Sequence, residues 1–112
     1  MVSASELAWR MMLREKYKVD LCFTPMLNSK SCEHINSFNK HFQTCPEDRP
    51  LVVQICGDDK DLILKLAMRV EDKCDCIDLN LGCPQQIAKK GNFGAFLAED
   101  WGLIEEISNL NY

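Results

Sequence analysis

The sequence predicts an α/β protein built on a parallel sheet, and three observations carry that reading. Short apolar runs alternate with stretches of helical periodicity in the order helix, strand, helix, strand, helix, strand, helix. The run Leu51–Gly57 is apolar except at Gln54, as in a strand covered on both faces. The spacing between runs leaves room for a helical crossover each time, which is how parallel neighbours are joined.

The first helix is expected from Glu6 to about Tyr17, with Ser5 as its N-cap. Leu7, Trp9, Met11, Met12 and Leu13 are its apolar residues, and Glu6, Arg10 and Arg14 fall on the other side. Asp20–Met26 reads as a buried strand that Pro25 halts near Thr24. Ser31–Thr44 is polar and only weakly periodic, a loop with at most a short helix. Cys45-Pro46-Glu47-Asp48-Arg49-Pro50 is a turn by its prolines and acidic centre, and it launches the strand Leu51–Gly57. Asp58 or Asp59 caps a helix from Lys60 to about Glu71, whose Leu62, Ile63, Leu66, Ala67 and Val70 share a face. Cys76–Leu81 is the third strand, ended by Gly82-Cys83-Pro84. A loop then runs to about Gly94, and a last helix from about Trp101 to Leu110. A closed (β/α)8 barrel takes about 250 residues. Three strands in 112 residues are therefore either a small open sheet or one half of a barrel.

Composition narrows the function classes. With 46% apolar and 27% charged residues the chain is neither a disordered tail nor a collagen-like repeat. No apolar run approaches the ~18 residues of a membrane span, and the N-terminus lacks the basic and apolar regions of a secretory signal. A soluble intracellular protein, cytoplasmic or nuclear, is expected. The net charge is −4, and the acidic excess lies after Pro50. A domain that grips nucleic acid alone shows a basic surface, so action on RNA would need most of the grip to lie elsewhere. The seven cysteines are odd in number and several sit in apolar runs, which points to reduced thiols. Cys74-x-Cys76 is the only close pair and His34 and His41 are far upstream, so no metal site is expected.

Polar residues at the C-terminal ends of such strands are where an α/β protein places its site. Gln54 interrupts an apolar strand, and its amide can donate and accept along the edge of a ring; equally it can be a buried glutamine satisfied by a neighbour. Asn80 is a ligand candidate or a strand-end turn former. Cys83, between glycine and proline, can point into the mouth of the sheet. An unperturbed thiol, with a pKa of ~8.5, is a competent general acid at neutral pH. Spacing alone favours a structural cysteine, because no basic partner adjoins it. Gly91-Asn92-Phe93-Gly94 lacks the spacing of a nucleotide loop. Lys89 and Lys90 before it are either a solvated pair or a contact to RNA phosphate.

Taken together, Asp78-Leu79-Asn80-Leu81-Gly82-Cys83-Pro84, Val53-Gln54 and Gly91-x-x-Gly94-Ala95 resemble the tRNA-dihydrouridine synthase family. Ser5–Arg10, Thr24–Leu27 and Cys45–Pro50 resemble its eukaryotic branch acting on tRNA positions 16 and 17. The resemblance runs from Met1 to about Leu110. It implies the N-terminal half of an FMN-binding TIM barrel, with NADPH or NADH as reductant and tRNA as substrate. FMN would deliver hydride to C6 of a uracil and Cys83 a proton to C5. Gln54 and Asn80 would bind the flavin, with Met1 and Val2 touching it through their backbone. The family's remaining strands, basic flavin lysine and helical tRNA-binding domain are not matched in residues 1–112. The expectation is thus a partial, truncated synthase, inactive alone and prone to pair through exposed strand edges. The alternative from another class is a non-catalytic, partner-binding α/β fragment.

Overall fold

The computed structural model describes residues 4–109. Helix α1 (Leu7–Tyr17) is followed by the short strands β1 (Cys22–Phe23) and β2 (Leu27–Asn28), then α2 (Ile35–His41) and β3 (Leu51–Cys56). Next come α3 (Lys60–Val70), β4 (Cys76–Leu79), α4 (Gln86–Lys90) and α5 (Trp101–Ser108). Single 3-10 turns lie at Glu71–Lys73 and Gly94–Phe96. All pairings are parallel, with β3 at the centre, β1 and β2 on one side and β4 on the other.

The strand expected to stop at Pro25 resumes beyond it. Cys22 and Phe23 lie opposite Leu51 and Val52, whereas Leu27 and Asn28 lie opposite Ile55 and Cys56. Thr24, Pro25 and Met26 therefore stand against Val53 and Gln54 alone, a bulge of one residue. Proline has no N–H for the ladder. The Thr24 hydroxyl accepts the Gln54 N–H at 3.1 Å, and the Thr24 N–H donates to the Val52 carbonyl at 2.9 Å, so pairing survives the interruption.

Register sorts the side chains onto two faces. Cys22, Leu27, Leu51, Val53, Ile55, Ile77 and Leu79 face the helices, against Phe38 and Phe42, Ile63, Leu66 and Val70 of α3, and Ile107 of α5. Phe23, Asn28, Val52, Gln54, Cys56, Cys76 and Asp78 share the opposite face, which is only partly covered. Asp59 caps α3, accepting from the Asp61 and Leu62 N–H groups.

Helix α1 inverts the expectation from its pattern. Glu6, not Ser5, is its N-cap. Trp9 is half exposed, whereas Arg10, on the side read as polar, is 2% exposed. The reason is what the helix packs on: the Thr44–Pro50 turn, which presents carbonyls and the fully buried Asp48. Arg10 reaches Asp48 Oδ2 through Nε at 2.9 Å and Nη2 at 2.6 Å, and also bonds the Gln43 carbonyl at 2.7 Å. Arg14 binds Asp48 Oδ1 at 3.2 Å and the Pro50 carbonyl at 2.6 Å.

The third strand ends at Leu79 rather than Leu81, and the loop expected before Gly94 contains α4. The outer edges of β1–β2 and of β4 pair with no further strand among the described residues. Among them, too, no helix is long and apolar enough to cross a membrane, and no group of three or more His, Cys, Asp or Glu residues converges as metal ligands would. The seven cysteines are free thiols, four of them buried.

Candidate active site

Gln54 and Asp78 are register partners on neighbouring strands, and both point to the partly covered face. The Gln54 carboxamide nitrogen donates to Asp78 Oδ2 at 2.7 Å. An ionised carboxylate only accepts, so this bond fixes which end of the amide is turned toward Asp78. Gln54 is thus satisfied by a neighbouring strand, one of the two roles its sequence position left open, and it is held in one orientation within a surface that includes Phe23 and Val52.

Asn80 is the first residue beyond β4. Its N–H donates to the Ile55 carbonyl at 2.9 Å, extending the ladder by one step. Its side-chain oxygen accepts from the Cys83 N–H at 3.0 Å and from the Gly82 N–H at 3.3 Å. Asn80 therefore builds the turn that carries Cys83, the turn-forming role of an asparagine whose side chain closes onto the backbone ahead of it.

The Gly91–Gly94 segment serves the same turn. Gly94 has φ +63°, and a β-carbon there would stand 2.6 Å from the Cys83 carbonyl oxygen and 2.9 Å from its β-carbon. The Ala95 N–H donates to that carbonyl at 3.1 Å. Within the segment, the Gly91 and Phe93 N–H groups are engaged by the Ile87 and Ala88 carbonyls. The backbone is thus committed to shaping the loop and forms no phosphate cradle. Cys83 itself is half-buried and packs with Met26 and Phe96 around Cys56, Ala88 and Phe93.

Cys56 is the chemical contrast to Cys83. Burial pushes its thiol up to about 12, against a smaller opposing effect of the Asn28 amide, which lies 3.8 Å from the sulfur. It keeps its proton throughout the neutral range.

The structure thus places Gln54 inside β3, two residues before its end, and Asn80 and Cys83 just beyond the end of the neighbouring β4. Met1 and Val2 lie outside the described residues. Asp78 and Thr24, which hold Gln54 by side chain and backbone, were not singled out from the sequence. The signal for Asp78 was a carboxylate inside an apolar strand, but its meaning needed the register. This face pairs an oriented amide with apolar neighbours, a donor set suited to a flat heteroaromatic ring with a mixed hydrogen-bonding edge.

A family model described as dihydrouridine synthase (Dus) matches residues 1–110. The chain is 46% identical over 110 residues to a mouse tRNA-dihydrouridine(16/17) synthase [NAD(P)(+)]-like protein. It is 48% identical to the tRNA-dihydrouridine(16/17) synthases [NAD(P)(+)] of Schizosaccharomyces pombe and Saccharomyces cerevisiae, over 110 and 113 residues. These alignments cover 96–97% of this chain but 23–27% of each relative, so the chain spans about a quarter of their length.

Proposed function

This chain belongs to the dihydrouridine synthase family, and from that premise we propose that it serves the reduction of tRNA uridines at positions 16 and 17 to 5,6-dihydrouridine. Its parallel α/β sheet is part of the (β/α)8 architecture of that family. On this reading residues 1–112 form the N-terminal part of an FMN-binding barrel domain, in an intracellular protein. The observation that carries the reading is the turn in which Asn80 accepts the Cys83 N–H at 3.0 Å, because it fixes a half-buried cysteine at a strand end.

Gln54 and Asn80 are the side chains proposed to hold FMN, with Met1 and Val2 completing the set through their backbone. The oriented Gln54 amide fits the edge of such a ring, and Asp78 keeps it turned. When bound, FMN that NADPH or NADH has reduced supplies the hydride for C6 of the uracil. Cys83 Sγ–H gives its proton to C5, and the thiolate left behind is reprotonated from solvent. Gly94 and Asn80 hold that sulfur's backbone in place from two sides. A uracil inside folded tRNA must leave its stack to meet this thiol.

The test is a graft. Residues 1–112 replace the matching segment of the Saccharomyces cerevisiae synthase, and tRNA from a strain lacking that enzyme is analysed for dihydrouridine. The graft is expected to restore the modification at 16 and 17, and the same graft with Cys83→Ala to restore none. Modification that survives Cys83→Ala would overturn the assigned role. The edges of β1–β2 and β4, which pair with no further strand among the described residues, favour a second reading, a partner-binding role through strand addition. Co-purification with a full-length synthase, without flavin, would support it.

A further inference from the structure

Near the Cys83 turn, a cleft of about 480 Å³ opens between the end of β2, Asn28 included, and α4. Its size falls in the range of about 300–1,000 Å³ typical of small-ligand sites. Met26 and Ile87 supply apolar wall, and Lys30, Lys90 and His41 supply basic groups. Among the described residues no aspartate or glutamate lines it. Lys30 is paired with Asp58 Oδ1 at 2.7 Å, and while that oxygen is buried the lysine side chain is half exposed, so a phosphate would meet Lys30 beside its carboxylate partner. His41 Nδ1 is engaged with the Ser37 carbonyl at 2.8 Å, which makes Nδ1 the protonated donor and turns Nε2 away from that bond. The cleft also shares Gly91 and Phe93 with the segment whose Gly94 packs on Cys83, so its occupant would adjoin the reacting base.

We propose that this cleft takes the RNA nucleotide neighbouring the target uridine. Its phosphate meets Lys30 and Lys90, and its base lies on Met26 and Ile87. The inference rests on the reading of the chain as a tRNA-modifying protein. It is favoured by charge: in an acidic chain this cleft gathers Lys30, Lys90 and His41 in its lining, with Asp58 set against Lys30 alone. An unstacked strand needs such positioning contacts on the residues flanking the extruded base.

The test is the salt dependence of binding between the full chain and a tRNA transcript, followed by fluorescence anisotropy. Each lysine that meets a phosphate contributes about one unit to the slope of log affinity against log salt. Lys90→Ala and Lys30→Ala are each expected to lower that slope by about one and the affinity roughly three- to tenfold. Lys16→Ala, at the far end of α1, is expected to change neither. Thermal melting of each variant shows that the fold is kept. Unchanged slopes, or absence of binding by the unaltered chain, would overturn the inference. The yeast graft distinguishes this from failure of the functional reading. Dihydrouridine formed by the graft, with unchanged slopes here, sinks the cleft alone, whereas slopes lowered as expected with no dihydrouridine sink the reaction.

Discussion

Gly94 lies so close to Cys83 that a β-carbon on the glycine would come within 2.6 Å of the cysteine's carbonyl oxygen. Gly94 also holds φ +63°, a conformation that side chains rarely adopt. Gly94→Ala therefore meets two obstacles at once. It is expected to cost about 1–3 kcal/mol, read as a shift in denaturant midpoint. It should also lower dihydrouridine formation in the yeast graft, because the strain is relieved only by moving the turn that carries the thiol.

The thiols should separate by reactivity. Cys76 is exposed and Cys83 half-buried, whereas Cys56 is buried with its thiol pushed up to about 12. At pH 8 the thiolate fraction of Cys56 is then on the order of one in ten thousand. Brief maleimide treatment followed by peptide mass spectrometry is expected to find Cys76 and Cys83 modified well before Cys56. Early labelling of Cys56 would contradict the packing around it.

The buried ion pair of Arg10 and Asp48 makes a large mutational effect at a position far from the site. Asp48→Ala leaves Arg10 buried without its partner, and the expected cost is about 3–5 kcal/mol. Arg14→Ala removes a donor at the better-hydrated end of the same network and is expected to cost about 1 kcal/mol. Urea unfolding of the two variants compares them directly.

Acid sensitivity should trace in part to Asp75. The Leu51 N–H, which it accepts at 2.7 Å, and then Arg49 hold its carboxyl below the usual carboxylate range. The folded state thus binds this proton less readily than the unfolded chain. The stabilisation is present above the ordinary carboxylate pKa of about 4 and is lost as pH falls below that toward the lowered value. Melting temperatures across the acid range are expected to fall less steeply for Asp75→Asn than for the unaltered chain. Parallel curves would remove Asp75 from the account.

The sequence by itself determined the alternation of helices and strands, because apolar periodicity is a local property. The central strand, expected over 51–57 and found at 51–56, and the helix from Lys60 were legible that way, while the choice of Asp59 over Asp58 as its cap came from the structure. So were Gln54 and Cys83 as candidates, since a polar interruption and a Gly-Cys-Pro turn are visible without neighbours. The direction in which α1 buries itself was decided only by tertiary structure. Arg10 looks like a solvent residue until Asp48, 38 positions later, is brought beside it. The continuation of the first strand past Pro25 likewise depends on β3 lying alongside and on the Thr24 hydroxyl replacing a lost ladder partner. The bond from Gln54 to Asp78, 24 residues apart, exists only once parallel register sets them side by side. The packing of Gly94 on Cys83 is of the same kind. Local propensity writes the elements, but contacts between distant residues are set by register and packing, and those decide which polar groups become a site.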